Sequence, residues 1–566
     1  MKSKKFIFTK IASAIALAIG TSSSIAQTTP NIGDALRQTK PPVAAIKSEQ
    51  ALPQVGGIQI EPPMTALPRG PKVNVKAFEI VGNRVIDTAA LLALVDEGAG
   101  KALTLSELEA LAQRVTKHYR TKGYFVARAY IPAQEVASGV VKIRVMEGNY
   151  GQFHLKNNSL VKDEIVQGML DDVKGYDIVS LDTLERAMLI INDTPGVQVT
   201  RADVMPGQKV GTSDFAVDTA ATKAKNGFVT YDNYGSVYTG EHRLSVNADF
   251  NSPTGSGDRL SLSGIATNRS GLLNGRVAYS NLLMPNGLRG EISAAHTQYS
   301  LGNTYASLDA KGTADVVDAT LTYPLRRIRA QTVELSLNVA SKSLEDKINS
   351  TSTVTPKTSN TVTAGVNVRD ERELLGFDGL TQANFAVTVG DLKINNDTAL
   401  ATDAAGAQTV GNFSKAVLSL SRVSMLPEQF TLTTSVRSQA TLKNKNLDGS
   451  ERMSVSGSSG VWGHPSGELI GSNATVARIE ISRPFPTLDG LQHNWFTFYD
   501  FGQASAAVPV SSADNRRSIS DVGLGWSGSY QSMVFKAHVA HRIQDAAPTS
   551  EPYARNKFLL QLGYNY

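Results

Sequence analysis

The side chains of this chain that could support catalysis or metal binding are few and far apart. His464 stands in "GVWGHPSGEL" (460–469), a tract of small, polar and apolar residues with no second ligand nearby in sequence. His538 and His541 in "AHVAHR" are spaced i, i+3. That spacing would put both rings on one face of a helix, but on a strand it sends them to opposite faces, where they cannot hold one ion. "GLGWSG" at 523–528 has the letters of a dinucleotide loop but lies between alternating stretches with no helix behind it, so its glycines are expected to serve wall packing or a bend. Glu371 and Glu373 sit in a polar loop, and there is no G-x-S-x-G elbow. The chain contains no cysteine, which excludes a disulfide scaffold and a thiolate metal site. The expectation is a non-enzyme with no cofactor and no metal. His464 is then a loop residue, and what it does depends on the elements around it.

Those elements fall into successive regions. Residues 1–26 carry Lys2, Lys4 and Lys5, an apolar stretch to Gly20 and the small-residue site Ser24-Ile25-Ala26, the pattern of a cleaved secretory signal. Residues 27–72 are rich in proline ("TKPP", "ALPQ", "EPPMTALPRGP") and read as a linker, with "IGDALRQ" as a short helix.

From residue 73 short strands alternate with helices. "VNVKAFEIVGN" suggests a strand, "DTAALLALVDEG" a helix, and "TLSELEALAQRVTKHYRTKGY" a second helix. This last opens with Thr104 and Glu107 at capping-box spacing and places Leu108, Leu111, Ala112, Val115 and Tyr119 on one face. "YFVARAYIP" and "GVVKIRVMEG" follow as strands. The same order returns in "GQFHLKNN", "KDEIVQGMLDDV", "SLDTLERAMLIINDTPG", "VQVTRADVMPG" and "TSDFAVDTA", so 73–148 and 149–224 form an internal repeat of α+β units.

From 225 to 566 period-two alternation takes over. Leu244, Val246, Ala248 and Phe250 share one face of "EHRLSVNADF", and Val333, Leu335, Leu337 and Val339 one face of "QTVELSLNVA". The chain ends in "FLLQLGYNY", where Phe558, Leu560, Leu562, Tyr564 and Tyr566 alternate with Gln561, Gly563 and Asn565. One apolar face and one small or polar face suit a barrel wall between lipid and water, and the length accommodates about 16 antiparallel strands. A soluble sandwich or propeller shares the alternation, but no blade repeat is visible. The net charge of +5 is modest for this length and implies no nucleic-acid partner.

At this point the residues resemble a known family. The repeat units look like POTRA domains. "GYFVARAYIPAQEVASGVVKIRVMEG" resembles the closing hairpin of the first POTRA in two-partner secretion transporters of the haemolysin activation/secretion type. "YDNYGSVYTGEHRLSVNADFNSPTGSGDRLSLSG" resembles that family's first barrel hairpin, and "LTYPLRR" and "FYDFG" resemble later barrel motifs. The resemblance implies a 16-stranded membrane β-barrel in the Gram-negative outer membrane, two periplasmic POTRA domains, and an N-terminal helix able to occupy the pore, here "IGDALRQ". It implies a secreted partner protein, large and β-helical, captured unfolded and exported through the pore. It further implies contact with outer-membrane lipid including lipopolysaccharide, and insertion by periplasmic chaperones and barrel assembly machinery guided by the terminal aromatic strand, Phe558, Tyr564 and Tyr566. Unpaired strand edges in the POTRA units could take the partner by strand addition, with Phe78, Ile80, Val199 and Val204 as contact candidates. Rival readings are an assembly factor of the same superfamily and a diffusion porin or adhesin.

The family also carries a long loop folded into the barrel, with an arginine before a glycine and an aromatic after it, paired to an acid on the wall. This sequence has Trp462, Gly463 and His464 at that place, while Asp500 and Gly502 of "FYDFG" match the wall. Without the arginine, Asp500 requires another partner across the lumen. His464, with an ordinary pKa near 6.5, is a candidate for a partial charge there. On this reading Trp462→Arg would be tolerated and would tighten the loop.

Overall fold

The computed structural model describes residues 29–39, 71–509, 515–543, 548, 551 and 554–566. The expected signal segment and most of the proline-rich stretch lie outside the described residues.

Two α+β units precede the barrel, and they share one topology. In the first, the strand Ala77–Val81 runs parallel to Val140–Met146, which pairs antiparallel with Arg128–Tyr130. In the second, Asn149–Asn158 runs parallel to Thr212–Ala221, which pairs antiparallel with Val197–Pro206. Helix Leu105–Thr121 starts in a capping box, the Thr104 N–H donating to Glu107 at 2.7 Å and the Glu107 N–H to the Thr104 hydroxyl at 3.3 Å. Its apolar stripe, Leu108, Leu111, Ala112, Val115 and Tyr119, is buried in the unit's core with Val141, Ile143 and Val145 of the sheet.

Local geometry trims two of the expected strands. "VNVKAFEIV" divides into Val73–Asn74 and Ala77–Val81, because the N–H groups of Lys76 and Ala77 both turn to the Gly139 carbonyl. In "YFVARAYIP" only Arg128–Tyr130 joins the sheet, since the Ala127 N–H closes a turn onto the Tyr124 carbonyl.

From Lys225 the chain forms a closed barrel of 16 antiparallel strands. Closure joins the last strand, Asn556–Asn565, to the first, Lys225–Asp232, from Gln561↔Asp232 to Asn565↔Phe228. Because side chains alternate across a strand, Leu244 and Val246 lie exposed on the outer face while Arg243 and Ser245 are buried inside. The last strand follows the same rule, with Phe558 and Tyr564 outward and Leu559 buried inward. Such closure leaves no unpaired wall edge for lipid to meet.

The second α+β unit is clamped to the near rim of the barrel. Asp193 at the C-terminus of helix Leu181–Asn192 takes two hydrogen bonds from Arg327, at 2.8 and 2.9 Å. Arg289 adds a bond to the Thr194 hydroxyl at 2.8 Å. Arg327 belongs to "LTYPLRR", where the strand Ala310–Ile328 slips register between Pro324 and Arg326. Proline has no N–H to give the ladder, which accounts for a slip at that position.

Candidate functional site

Two segments fill the lumen. The first is the helix Ile32–Gln38, "IGDALRQ", started by an Asn31–Asp34 capping box. Ile32 and Ala35 are buried with Leu272, Tyr299 and Leu344 of the wall. The Ile32 N–H donates to Asp346 at 2.8 Å, Arg243 donates to the Gln38 carbonyl at 3.0 Å, and Arg37 donates to the Gly449 carbonyl.

The second is the long connection 442–472 between the strands Thr431–Thr441 and Asn473–Pro484, which folds inward. In its outgoing arm Asp448 pairs with Lys357 at 3.0 Å, and Glu451 lies 2.5 Å from Lys342 and 2.9 Å from Lys415. Burial alone would raise the Asp448 carboxyl. The nearby Lys357 ammonium and the Ser450 N–H outweigh it and hold the group down at about 2.

The returning arm of this connection, "GVWGHPSGEL", rests on four charged side chains that stand in direct register on four consecutive strands: Arg478, Asp500, Asp521 and Arg542. Arg478 holds both oxygens of Asp500 at 2.6 Å. The loop meets this row with its main chain. The Trp462 N–H donates to Asp500 at 3.3 Å, the Gly463 N–H donates to Asp521, the Gly463 carbonyl accepts from Arg542 at 2.5 Å, and the Gly460 carbonyl accepts from Arg478 at 3.0 Å. Arg517 and Glu468 form a further buried pair at 2.6 Å.

Trp462 packs its indole against this row. The Arg478 guanidinium carbon is 3.2 Å from the indole centroid and the Lys536 ammonium 4.4 Å. The Phe498 ring is 4.7 Å away, edge-on. Phe496 and Phe498 themselves lie over Gly525 and Gly523, opposite them in register, where an added Cβ would come within 2.1 Å of each ring. The first two glycines of "GLGWSG", Gly523 and Gly525, thus make room for the aromatic floor beneath Trp462. Gly502 does the same for the loop, since a Cβ there would meet Val461 at 2.9 Å.

Trp462, Gly463, His464, Asp500 and Gly502 therefore lie in one patch, but not with the contacts expected from the sequence. Asp500 touches the loop directly instead of facing it across the lumen. Its cation is Arg478 on the adjacent strand, not His464. His464 is buried near Arg542, Glu468 and Arg517, and burial, reinforced by Arg542, pushes its imidazole down to about 4. Trp462→Arg would place a third cation against Arg478 and Lys536, which argues against the tolerance expected from sequence. Sequence reasoning missed Arg478, Asp521 and Arg542. Their only signal was a charge on the inward parity of a wall strand.

The other named residues sit elsewhere. Phe78, Ile80 and Val199 point into the cores of the α+β units, with Val204 partly buried, on strands Ala77–Val81 and Val197–Pro206, each at the edge of its sheet. His538 is buried beside Trp462, 4.2 Å between ring centroids, while His541 faces outward and bonds Asn556 at 2.7 Å. Among the described residues no group of three or more His, Asp and Glu could hold a metal ion.

Comparison with known proteins accords with this architecture. The family model described as haemolysin secretion/activation protein ShlB/FhaC/HecB matches residues 211–528, and that for the ShlB-type POTRA domain matches 73–148. The heme/hemopexin transporter protein HuxB of Haemophilus influenzae (strain Rd) is 29% identical over 439 residues, covering 77% of this chain and 76% of its own. The outer membrane transporter CdiB of Dickeya dadantii is 23% identical over 446 residues, 77% of each. In three dimensions, CdiB from Escherichia coli superposes with a TM-score of 0.71 at 19% identity, over 91% of this chain and 94% of that one. BamA from Haemophilus ducreyi lacking POTRA domains 1–3 gives 0.51 at 14%, over 87% of this chain and 100% of that one. With its POTRA units in the periplasm and its barrel in the outer membrane, the chain belongs to the ShlB/FhaC/HecB family of haemolysin secretion/activation transporters.

Proposed function

We propose that this transporter captures an unfolded partner protein in the periplasm on its POTRA strand edges and passes it in extended form through the barrel, to fold outside. The observation that supports this reading is the edge strand Val197–Pro206. Its near end adjoins the barrel rim, where a Cβ on Gly196 would come within 2.7 Å of Ser252. An extended chain adding to that edge would be directed at the pore, with main-chain bonds for affinity and little demand on its sequence. In the first unit, Ala77–Val81 offers a second edge. Since Phe78, Ile80 and Val199 point inward, the backbone of these strands would carry the contact.

The partner is a large secreted β-helical protein, and its folding at the cell surface drives export without a nucleotide. The outward Phe558, Tyr564 and Tyr566 serve as the signal read by periplasmic chaperones and the barrel assembly machinery, and the apolar outer face meets lipid including lipopolysaccharide. Deleting residues 73–148 tests capture. The expected outcome is a barrel that still fractionates with the outer membrane and shows heat-modifiable migration, while partner secretion falls to background. Secretion at the normal rate would refute capture by the first unit.

A further inference from the structure

We infer that the wall row Arg478, Asp500, Asp521 and Arg542 is a binding site for extended polypeptide backbone, and that an exported segment rich in glycine and serine takes it when the loop 442–472 withdraws. The inference rests on the export reading above. The loop already shows the chemistry of recognition. Its N–H groups at Trp462 and Gly463 go to the two aspartates, and its carbonyls at Gly460 and Gly463 accept from the two arginines. Apart from the Trp462 indole over Arg478, these contacts use groups that every non-proline residue carries. The row sets two arginines and two aspartates side by side, so it offers donors and acceptors alike to a passing main chain.

Small residues fit best at its centre. A Cβ on Gly463 would lie 2.8 Å from an Asp521 oxygen and 3.4 Å from Ala540. Withdrawal of the loop also has a physical requirement. Asp500 and Asp521 are fully buried and directly opposed, and Asp521 would lose the Gly463 N–H. That acceptor is vacated when the loop leaves, and a peptide N–H arriving from the exported chain takes the place of the Gly463 N–H on Asp521. Loop and exported chain thus compete for one set of groups, so arrival of the chain favours release of the loop.

The test uses the full-length protein in planar bilayers and two synthetic peptides: a twelve-residue Gly-Ser repeat and the same peptide with methylated backbone nitrogens. Gly463→Ala pushes the loop off Asp521 and leaves the row intact, so the half-blocking concentration of the plain peptide should fall about ten-fold. The methylated peptide should not block. Adding Asp521→Leu, which removes the acceptor, to Gly463→Ala should remove most of the gain. Equal block by both peptides, or no effect of Asp521→Leu, would overturn backbone recognition.

A second measurement needs only the unaltered protein. Of its three tryptophans, Trp495 and Trp526 lie in wall strands away from the row, so peptide binding should change Trp462 emission, and Trp462→Phe should abolish that change. Emission unmoved by saturating plain peptide would also overturn the site. Because neither measurement involves the secreted partner, absence of peptide binding with normal secretion removes this site alone, whereas peptide binding without any partner secretion removes the export reading on which it rests.

Discussion

Arg478 and Asp500 are directly opposed on neighbouring barrel strands, both carboxylate oxygens held at 2.6 Å, with the Trp462 indole centroid 3.2 Å from the guanidinium carbon. The cation that neutralises Asp500 thus belongs to the wall, and the loop contributes an aromatic face and its main chain. Charge and loop position are coupled through a single side chain.

Arg478→Ala should therefore do two things at once. It strands a fully buried Asp500 beside Asp521, at about 3–5 kcal/mol for breaking a buried pair, and removes the surface on which Trp462 rests. The expected result is a lower temperature for heat-modified migration together with larger single-channel conductance. Arg478→Lys should rescue little, because an ammonium cannot bond both oxygens in the same plane while stacking on the indole. Trp462→Arg should resemble Arg478→Ala in conductance, and a channel quieter than the unaltered one would contradict the wall-cation arrangement.

Gly33→Ala should eject the pore helix and spare the loop's anchorage at Gly463. The added Cβ would stand 2.2 Å from the Gly449 carbonyl carbon and 2.5 Å from the Ser450 nitrogen, and backbone on both sides cannot yield. Since the chain has no cysteine, Ala35→Cys gives a clean reporter. The thiol, at a position 1% exposed, should react slowly with a maleimide in the Gly33 background and rapidly with Gly33→Ala. Equal rates would show that the helix stays.

Asp193→Ala should loosen the second POTRA unit from the barrel rim without disturbing the barrel. Arg327 is buried but Asp193 is about half exposed, so the loss is screened and amounts to ~1–2 kcal/mol of docking. Outer-membrane levels should be unchanged and partner secretion reduced. Protease sensitivity between the POTRA unit and the first strand should rise.

Loop docking should weaken in acid through His464. Docked, the imidazole lies at about 4; released to water it returns to its ordinary value near 6.5. The released loop therefore binds more protons between those values, so docking is fully stable above about pH 6.5 and weakens as pH falls toward 4. Brief large-conductance events should become more frequent from pH 7 to pH 5, and His464→Gln should flatten that dependence. A flat profile in the unaltered protein would contradict it.

Much of the fold was legible in the chain because local rules set it. Period-two alternation from "EHRLSVNADF" to "FLLQLGYNY" specified wall strands, and the Thr104–Glu107 box specified the start of a helix. The lack of clustered ligands around His464, and the parity that separates His538 from His541, were equally readable from spacing alone.

The candidate site was legible only in part. Asp500 and Gly502 could be found by resemblance, but the partner of Asp500 could not, because alternation says that Arg478 points inward without saying which residue lies opposite it. That is a matter of register, fixed by the turn between 484 and 492 and by closure of the barrel. The sequence by itself determined the elements and their faces. Only the tertiary structure decided that four charges from four strands would line up and that the connection 442–472 would fold inward to meet them, since both depend on contacts between segments that no local pattern encodes.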